Sequence, residues 1–275
     1  MPILPPSFTS ETVGEGSMLD RVTVTSGASV RRAGCDECLF SPECPACAAG
    51  GLAGERGIDV LVRVLHRGDR LFDHGEPFDS VYMVRSGTLK TCTVSASGEE
   101  RVIGFHGPGD LAGLDAIHEG RHTSSAIALG TASVCSLPWR PLCGLSARVP
   151  RVQSRLLANM SRQIHDGERR LGVLVMRGAG QRMAAFLIGL LDDCRRRGLK
   201  CDELVLPMAR ADIASYLGLA IETVSRSLTR QHAGRLIDVR RNLIRILDER
   251  ALRAMAGEVD PTAGPGGAGA RSRGC

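Results

Sequence analysis

Cys35, Cys38 and Cys44 form a C-x2-C-x5-C run, and Cys135 stands far downstream in the stretch Ala132 to Pro138. Thiols grouped this closely, with no secretory context, are metal ligands more often than disulfide partners. Four sulfurs suit either zinc or an iron–sulfur cluster. Cys47 makes a second C-x2-C with Cys44, so two ligand sets stay open. One takes in Cys135; the other is a structural zinc loop of Cys35, Cys38, Cys44 and Cys47, whose middle spacing is short for zinc. Taken alone, Cys135 reads as a core thiol, and Cys92, Cys143, Cys194 and Cys201 read as bystanders. His106, His118 and His122 read as satisfied surface side chains rather than ligands.

A second group of residues could read DNA. Arg210 to Leu217 predicts a short helix with Ile213, Ala214 and Leu217 inward, and Gly218, Leu219 and Ala220 a tight connection. A second helix follows from Ile221 to about His232, with Val224 and Leu228 facing inward. Small Ala214 lets two helices approach, and Gly218 permits the turn between them, as a helix-turn-helix requires. Glu222, Thr223, Ser225 and Arg226 are then presented to the major groove. Arg can take guanine O6 and N7 together, Glu can accept from cytosine N4, and Ser can serve either base partner. Val239 to Leu247 alternates apolar residues with Arg, as the hairpin wing of a winged helix would. Met208 to Met255 holds nine Arg against five acidic residues, so much of the formal net charge of +5 sits in this segment.

The elements that must position these residues follow from the pattern. At 275 residues the chain can fold as more than one domain. Arg70–Phe72, Ser80–Arg85, Gly87–Val94 and Arg101–Phe105 read as short strands separated by Gly turns, which predicts an all-β roll or barrel. Beyond Pro150, Val152, Leu156, Met160 and Ile164 recur every four residues on a helix of about seven turns. That stripe is expected to be a dimer seam, with Gly167 and Gly172 softening the middle. Gln181–Arg197 predicts another helix, ended by Gly198.

The expected fold class is α+β. The division is a disordered leader (1–34), a cysteine-rich loop (35–54), a β-roll sensor domain (55–148), a dimerisation helix (149–177), a winged-helix domain (178–256) and a disordered tail (257–275). No apolar run reaches the roughly 18–20 residues of a membrane span, and Met1 to Arg32 lacks a signal-peptide pattern. The expectation is a cytoplasmic protein with mostly reduced cysteines. A thiol redox enzyme is not expected, because no Gly-rich cofactor loop, catalytic triad or thioredoxin-like CxxC is present.

These segments resemble the fumarate and nitrate reduction regulator (FNR) family, the oxygen-sensing branch of the cyclic AMP receptor protein superfamily. The resemblance runs from Cys35 to about Glu249 and includes Leu71–Lys90, Gly104–Ala116 (GFHGPGDLAGLDA), Ala126–Pro138 and Asp212–Arg226 (DIASYLGLAIETVSR). It implies a homodimeric transcription regulator made of an antiparallel β-roll, a long dimerisation helix and a winged helix-turn-helix. It implies Cys35, Cys38, Cys44 and Cys135 as ligands of an oxygen-labile [4Fe–4S] cluster, and Glu222, Ser225 and Arg226 as base readers. The implied partners are RNA polymerase and a two-fold double-stranded DNA site, TTGAT and ATCAA about four base pairs apart. Cys47 is not part of the family pattern. Ser227 replaces a usual Leu, and Gly167 aligns with an acid common in the dimer helix. Cyclic AMP binders of the superfamily hold the ribose with Glu and the phosphate with Arg; the matching positions here are Leu114 and Ser124, so cyclic AMP is not an expected ligand.

Overall fold

The computed structural model describes residues 30–32, 44–45, 47, 60–95, 98–201 and 203–257. Cys35, Cys38, most of the leader and the tail from residue 258 lie outside the described residues.

Among the described residues nine strands build the roll: β1 (Val30–Arg32), β2 (Leu61–Leu65), β3 (Arg70–Phe72), β4 (Ser80–Ser86), β5 (Leu89–Val94), β6 (Glu100–His106), β7 (Leu111–Ala112), β8 (Ser125–Ala128) and β9 (Ala132–Pro138). They form a five-stranded sheet in the order β1-β2-β9-β4-β7 and a four-stranded sheet in the order β3-β8-β5-β6, with every pairing antiparallel. Leu65, Phe72, Val84, Leu89, Ala126 and Val134 meet between the sheets. Gly87 turns β4 into β5 at φ +77°, and a Cβ there would lie 2.4 Å from the Thr131 carbonyl oxygen. Only glycine fits that crossing. The leader departs from expectation at β1, whose three residues pair with Leu61–Arg63 of β2.

The outer face of the five-stranded sheet is covered by α1 (Trp139–Ser146) and by the start of α2 (Pro150–Val175). Pro150 occupies the first turn of α2, where its missing N–H costs nothing. The helix runs unbroken through Gly167 and Gly172. It leads into α3 (Ala179–Arg196), which Gly198 ends at φ +66°. Cys194 and Cys201, expected as reduced bystanders, are joined by a disulfide with Cα atoms 5.9 Å apart. The reversal at Gly198 brings the two thiols within bonding reach.

The last domain adds β10 (Glu203–Val205), α4 (Arg210–Leu217), α5 (Ile221–Ala233), β11 (Ile237–Arg240), β12 (Leu243–Ile246) and α6 (Glu249–Ala256). Its core joins Met183, Leu187 and Leu191 of α3 to Ile213 and Leu217 of α4, Val224 and Leu228 of α5, Ile237, Ile244 and Leu252. Gly218 sits in the left-handed region (φ +61°), and Ala220 precedes α5 with extended backbone. This is the helix-turn-helix expected from sequence, with the hairpin β11–β12 as its wing.

Candidate functional site

Cys135 occupies the central strand β9, opposite Val62 on one side and Met83 on the other. Its neighbour Val134 points into the roll, so Cys135 points outward, under α1 and α2. There it shares one apolar cluster with Cys44, Val62, Met83, Leu137, Leu142, Val152 and Leu156, with Cys47 and Met160 packed against it. Cys44 and Cys135 are 3% and 5% exposed. Two of the four expected ligands, far apart in sequence, therefore converge on one shielded face, and Cys47 accompanies them. Among the described residues no three His, Cys, Asp or Glu side chains stand together as a metal-holding group; Cys35 and Cys38 are not among those residues. Soft thiol donors within a water-poor apolar wall suit a metal–sulfur centre.

The same cluster governs α2. Val152 and Leu156 are buried against the roll, Met160 is half-buried, and Ile164 is exposed. The four expected seam residues thus do not share one face. Leu157, Ile164, Leu171 and Val175, at 57%, 64%, 65% and 80% exposure, form the apolar stripe that α2 leaves open. Gln163 donates to the Leu111 carbonyl, and Arg170 donates to the carbonyls of Val102 and Ile103, both at 2.9 Å. One side of α2 is committed to the roll, and the side next to it carries the free stripe.

Where a cyclic-nucleotide phosphate would need donors, the chain supplies its own anion. Asp115 Oδ2 accepts from the Thr123 N–H, the Thr123 hydroxyl and the Ser124 hydroxyl, each at 2.9 Å. Its other oxygen faces His122 Nδ1 at 3.7 Å. Burial alone would raise this carboxyl, but His122, Thr123 and Ser124 outweigh it and bring the pKa down to about 2. A carboxylate held this way beside Leu114 and Ser124 would repel a phosphate brought to those positions. His122 is not a surface residue: it is buried and stacks on Phe72 at 3.7 Å between ring centroids. His106 is half-buried, with Nε2 3.2 Å from the Thr91 hydroxyl, and desolvation lowers its pKa.

On α5, Glu222, Ser225 and Arg226 are exposed and Thr223 is half-buried, while Val224, Ser227 and Leu228 face the core. Buried Ser227 stands in the apolar row without opening a gap to solvent. Arg226 Nε rests on the Glu222 carbonyl at 3.3 Å, and Ser225 Oγ donates to the Ile221 carbonyl at 3.1 Å. The wing adds Arg240 and Arg241, both exposed, with Arg241 at φ +58° and its carbonyl accepting from Arg210 Nη2 at 3.2 Å. Sequence reading did not single out Arg210 or Arg241; the apolar/Arg alternation of the wing was the signal for Arg241, and Arg210 had none.

Comparison with known proteins follows the same division. Residues 62–147 match the cyclic nucleotide-binding domain, and residues 181–255 match the Crp-like helix-turn-helix domain. The transcriptional activator protein Anr of Pseudomonas protegens is 40% identical over 229 residues, covering 82% of this chain and 93% of the relative. The fumarate and nitrate reduction regulatory protein of Salmonella typhimurium is 36% identical over 229 residues, covering 81% and 90%. Among solved structures, FixK2 from Bradyrhizobium japonicum superposes with a TM-score of 0.65 at 25% identity, covering 73% of this chain and 98% of that one.

Proposed function

Since the chain belongs to the fumarate and nitrate reduction regulator branch of the cyclic AMP receptor protein superfamily, we propose that this transcription regulator is oxygen-responsive. In this reading Cys35, Cys38, Cys44 and Cys135 hold a [4Fe–4S] cluster. As a homodimer in the cytoplasm, the protein binds a two-fold TTGAT-like site and controls anaerobic genes through contact with RNA polymerase. Its relatives are transcriptional activators, and its role is regulation rather than catalysis.

The observation that carries this reading is the shared cluster of Cys44, Cys135, Val152 and Leu156. When bound, an iron–sulfur cluster supplies oxygen-labile metal–thiolate bonds that clip the cysteine segment to β9. The ligand segment and the first turns of α2 pack in one close-packed core, so a loosened segment disturbs the seating of α2. Leu157, Ile164, Leu171 and Val175 lie further along the same helix and are the apolar surface a second copy would cover. The monomer presents one α5 to DNA. A dimer presents two, and the two half-sites are then bound together. Shifting a monomer–dimer balance decisively takes about 5 kcal/mol of differential stabilisation, well within what metal–thiolate ligation supplies. At the DNA, Arg226, Glu222 and Ser225 read base edges, and the exposed Arg240 and Arg241 neutralise phosphates. The Asp115 carboxylate argues against cyclic AMP as the signal.

Anisotropy titration of a labelled TTGAT/ATCAA duplex under anaerobic conditions tests the reading. Protein reconstituted with iron and sulfide should bind tightly, lose affinity on exposure to air, and bind weakly in either condition once Cys135→Ala is introduced. Affinity indifferent to both air and Cys135→Ala would remove the sensor mechanism and leave a DNA-binding regulator of another signal.

A further inference from the structure

Among the described residues β6 is the terminal strand of its sheet, and its outward backbone groups meet no further strand there. An open edge of this kind needs covering. Here the DNA-binding domain and α2 cover it. The Val102 N–H donates to Ser215 Oγ of α4 at 2.9 Å. The carbonyls of Val102 and Ile103 accept from Arg170, whose guanidinium also lies 4.7 Å from the Tyr216 ring centroid. A bulge in the β5–β6 register at Ile103 bends the edge at this point. Phe105 of β6 packs against Tyr216 of α4 and Phe186 of α3, with centroids 5.0 and 6.3 Å away.

A lysine of the roll reaches over to fasten this contact. Lys90 of β5 reaches across β6, placing Nζ 2.5 Å from Glu100 and 2.9 Å from Asp212 Oδ1. Side chains of Lys90 and Asp212 are only 14% and 16% exposed, so the pair is far less screened than a surface ion pair. The other oxygen of Asp212 accepts the Ala209 N–H at 3.0 Å and so fixes the first turn of α4. A second pair, Arg197 to Asp110 at 2.7 Å, ties the end of α3 to the roll. None of these groups lies on the exposed face of α5.

We infer that Lys90 is a positioning residue for DNA recognition: by gripping Asp212 it docks the helix-turn-helix on the open edge of the roll and so sets where α5 is presented. The docking transmits the position of the roll to α5, whatever signal the roll senses, and does not depend on the cluster. Lys90→Met removes the grip while leaving Asp212 free to keep its bond to the Ala209 N–H. Lys90→Arg retains it, and Ser215→Ala removes the neighbouring acceptor.

The test is amide hydrogen exchange of the full-length protein, read on peptides from residues 98–107 and 209–218. Lys90→Met should speed exchange in both peptides by about tenfold, equivalent to roughly 1.4 kcal/mol, with peptides of β4, β9 and residues 224–231 unchanged. Lys90→Arg should restore wild-type exchange. Ser215→Ala should speed exchange at Val102, which keeps the test decisive if Lys90→Met does not fold. Wild-type exchange in Lys90→Met, or faster exchange throughout the roll, would overturn the inference. A failure of oxygen sensing would leave these exchange rates as predicted, so the two readings fail separately.

Discussion

Replacing Ile164 and Leu171 together by Ala should dissociate the proposed dimer without unfolding the chain. Both side chains are about two-thirds exposed in the monomer, so most of their surface is available to a partner. Burying a whole Leu or Ile contributes about 1.5–3 kcal/mol. Discounting the part already covered and the methyl that Ala keeps leaves about 1 kcal/mol for each side chain. A two-fold dimer loses four of them, or about 4 kcal/mol, which raises the dimer dissociation constant roughly a thousandfold. Sedimentation velocity over a concentration series, with far-ultraviolet circular dichroism as the control for folding, measures this. Leu156→Ala is the counter-experiment. Its side chain is buried against the roll, so it should cost about 2–5 kcal/mol of folding stability. If Ile164→Ala/Leu171→Ala associates like wild type, or Leu156→Ala weakens association while folding stability is unchanged, the assignment of the two faces of α2 is wrong.

Asp115→Asn should destabilise the protein near neutral pH. The folded carboxyl is held down at about 2, below the 3.8 of an ordinary aspartate. Its contribution is therefore complete above pH 4 and lost as pH falls towards 2, so the deficit of the variant in chemical denaturation should shrink over that interval; a pH-independent deficit would contradict the linkage. Gly87→Ala should cost about 2–4 kcal/mol in the same assay, because the new Cβ meets backbone at 2.4 Å and the residue holds a positive φ. Wild-type stability would show the crossing to be looser than described. Arg226→Ala should weaken binding to the two-fold duplex by about 1–3 kcal/mol per half-site and relax the base preference there, whereas Arg241→Ala should weaken all duplexes alike and flatten the salt dependence. Competition titrations with single-base variants distinguish the two, and equal effects on specificity would refute the division of roles.

The helix-turn-helix was legible because its signals are local. Ala214, Gly218 and the inward pair Val224 and Leu228 fix α4 and α5 with no help from distant residues, and the observed α4 has the expected ends. Strands β2, β8 and β9 were harder to read. On β9, Val134 faces the roll interior and Cys135 the helices, so both are buried and the alternation of a half-exposed strand is missing. The seam shows how periodicity can mislead. A step of four residues advances about 40° beyond a full turn of a 3.6-residue helix. From Val152 to Ile164 the row therefore swings about 120°, from the roll to solvent. Steps of seven drift only about 20°, which keeps Leu157, Ile164 and Leu171 on one face. The proposed ligand set was half visible: the C-x2-C-x5-C spacing marks a group of thiols, Cys135 joined them only through the family resemblance, and the fold puts Cys135 in one apolar cluster with Cys44. The anion seat at Asp115 and the Lys90–Asp212 grip are tertiary, joining residues 8 or 9 and 122 positions apart, and no local pattern announces them.

In the proposed mechanism Cys135 and the N-terminal cysteines hold one oxygen-labile iron–sulfur cluster. The most direct measurement is the visible spectrum and metal content of the full chain after anaerobic reconstitution with iron and sulfide, before and after air, beside Cys135→Ser. A broad sulfur-to-iron charge-transfer absorption with about four irons per chain, bleached by air and absent from Cys135→Ser, is the predicted result. A colourless protein holding about one zinc per chain, unchanged by Cys135→Ser, would contradict it.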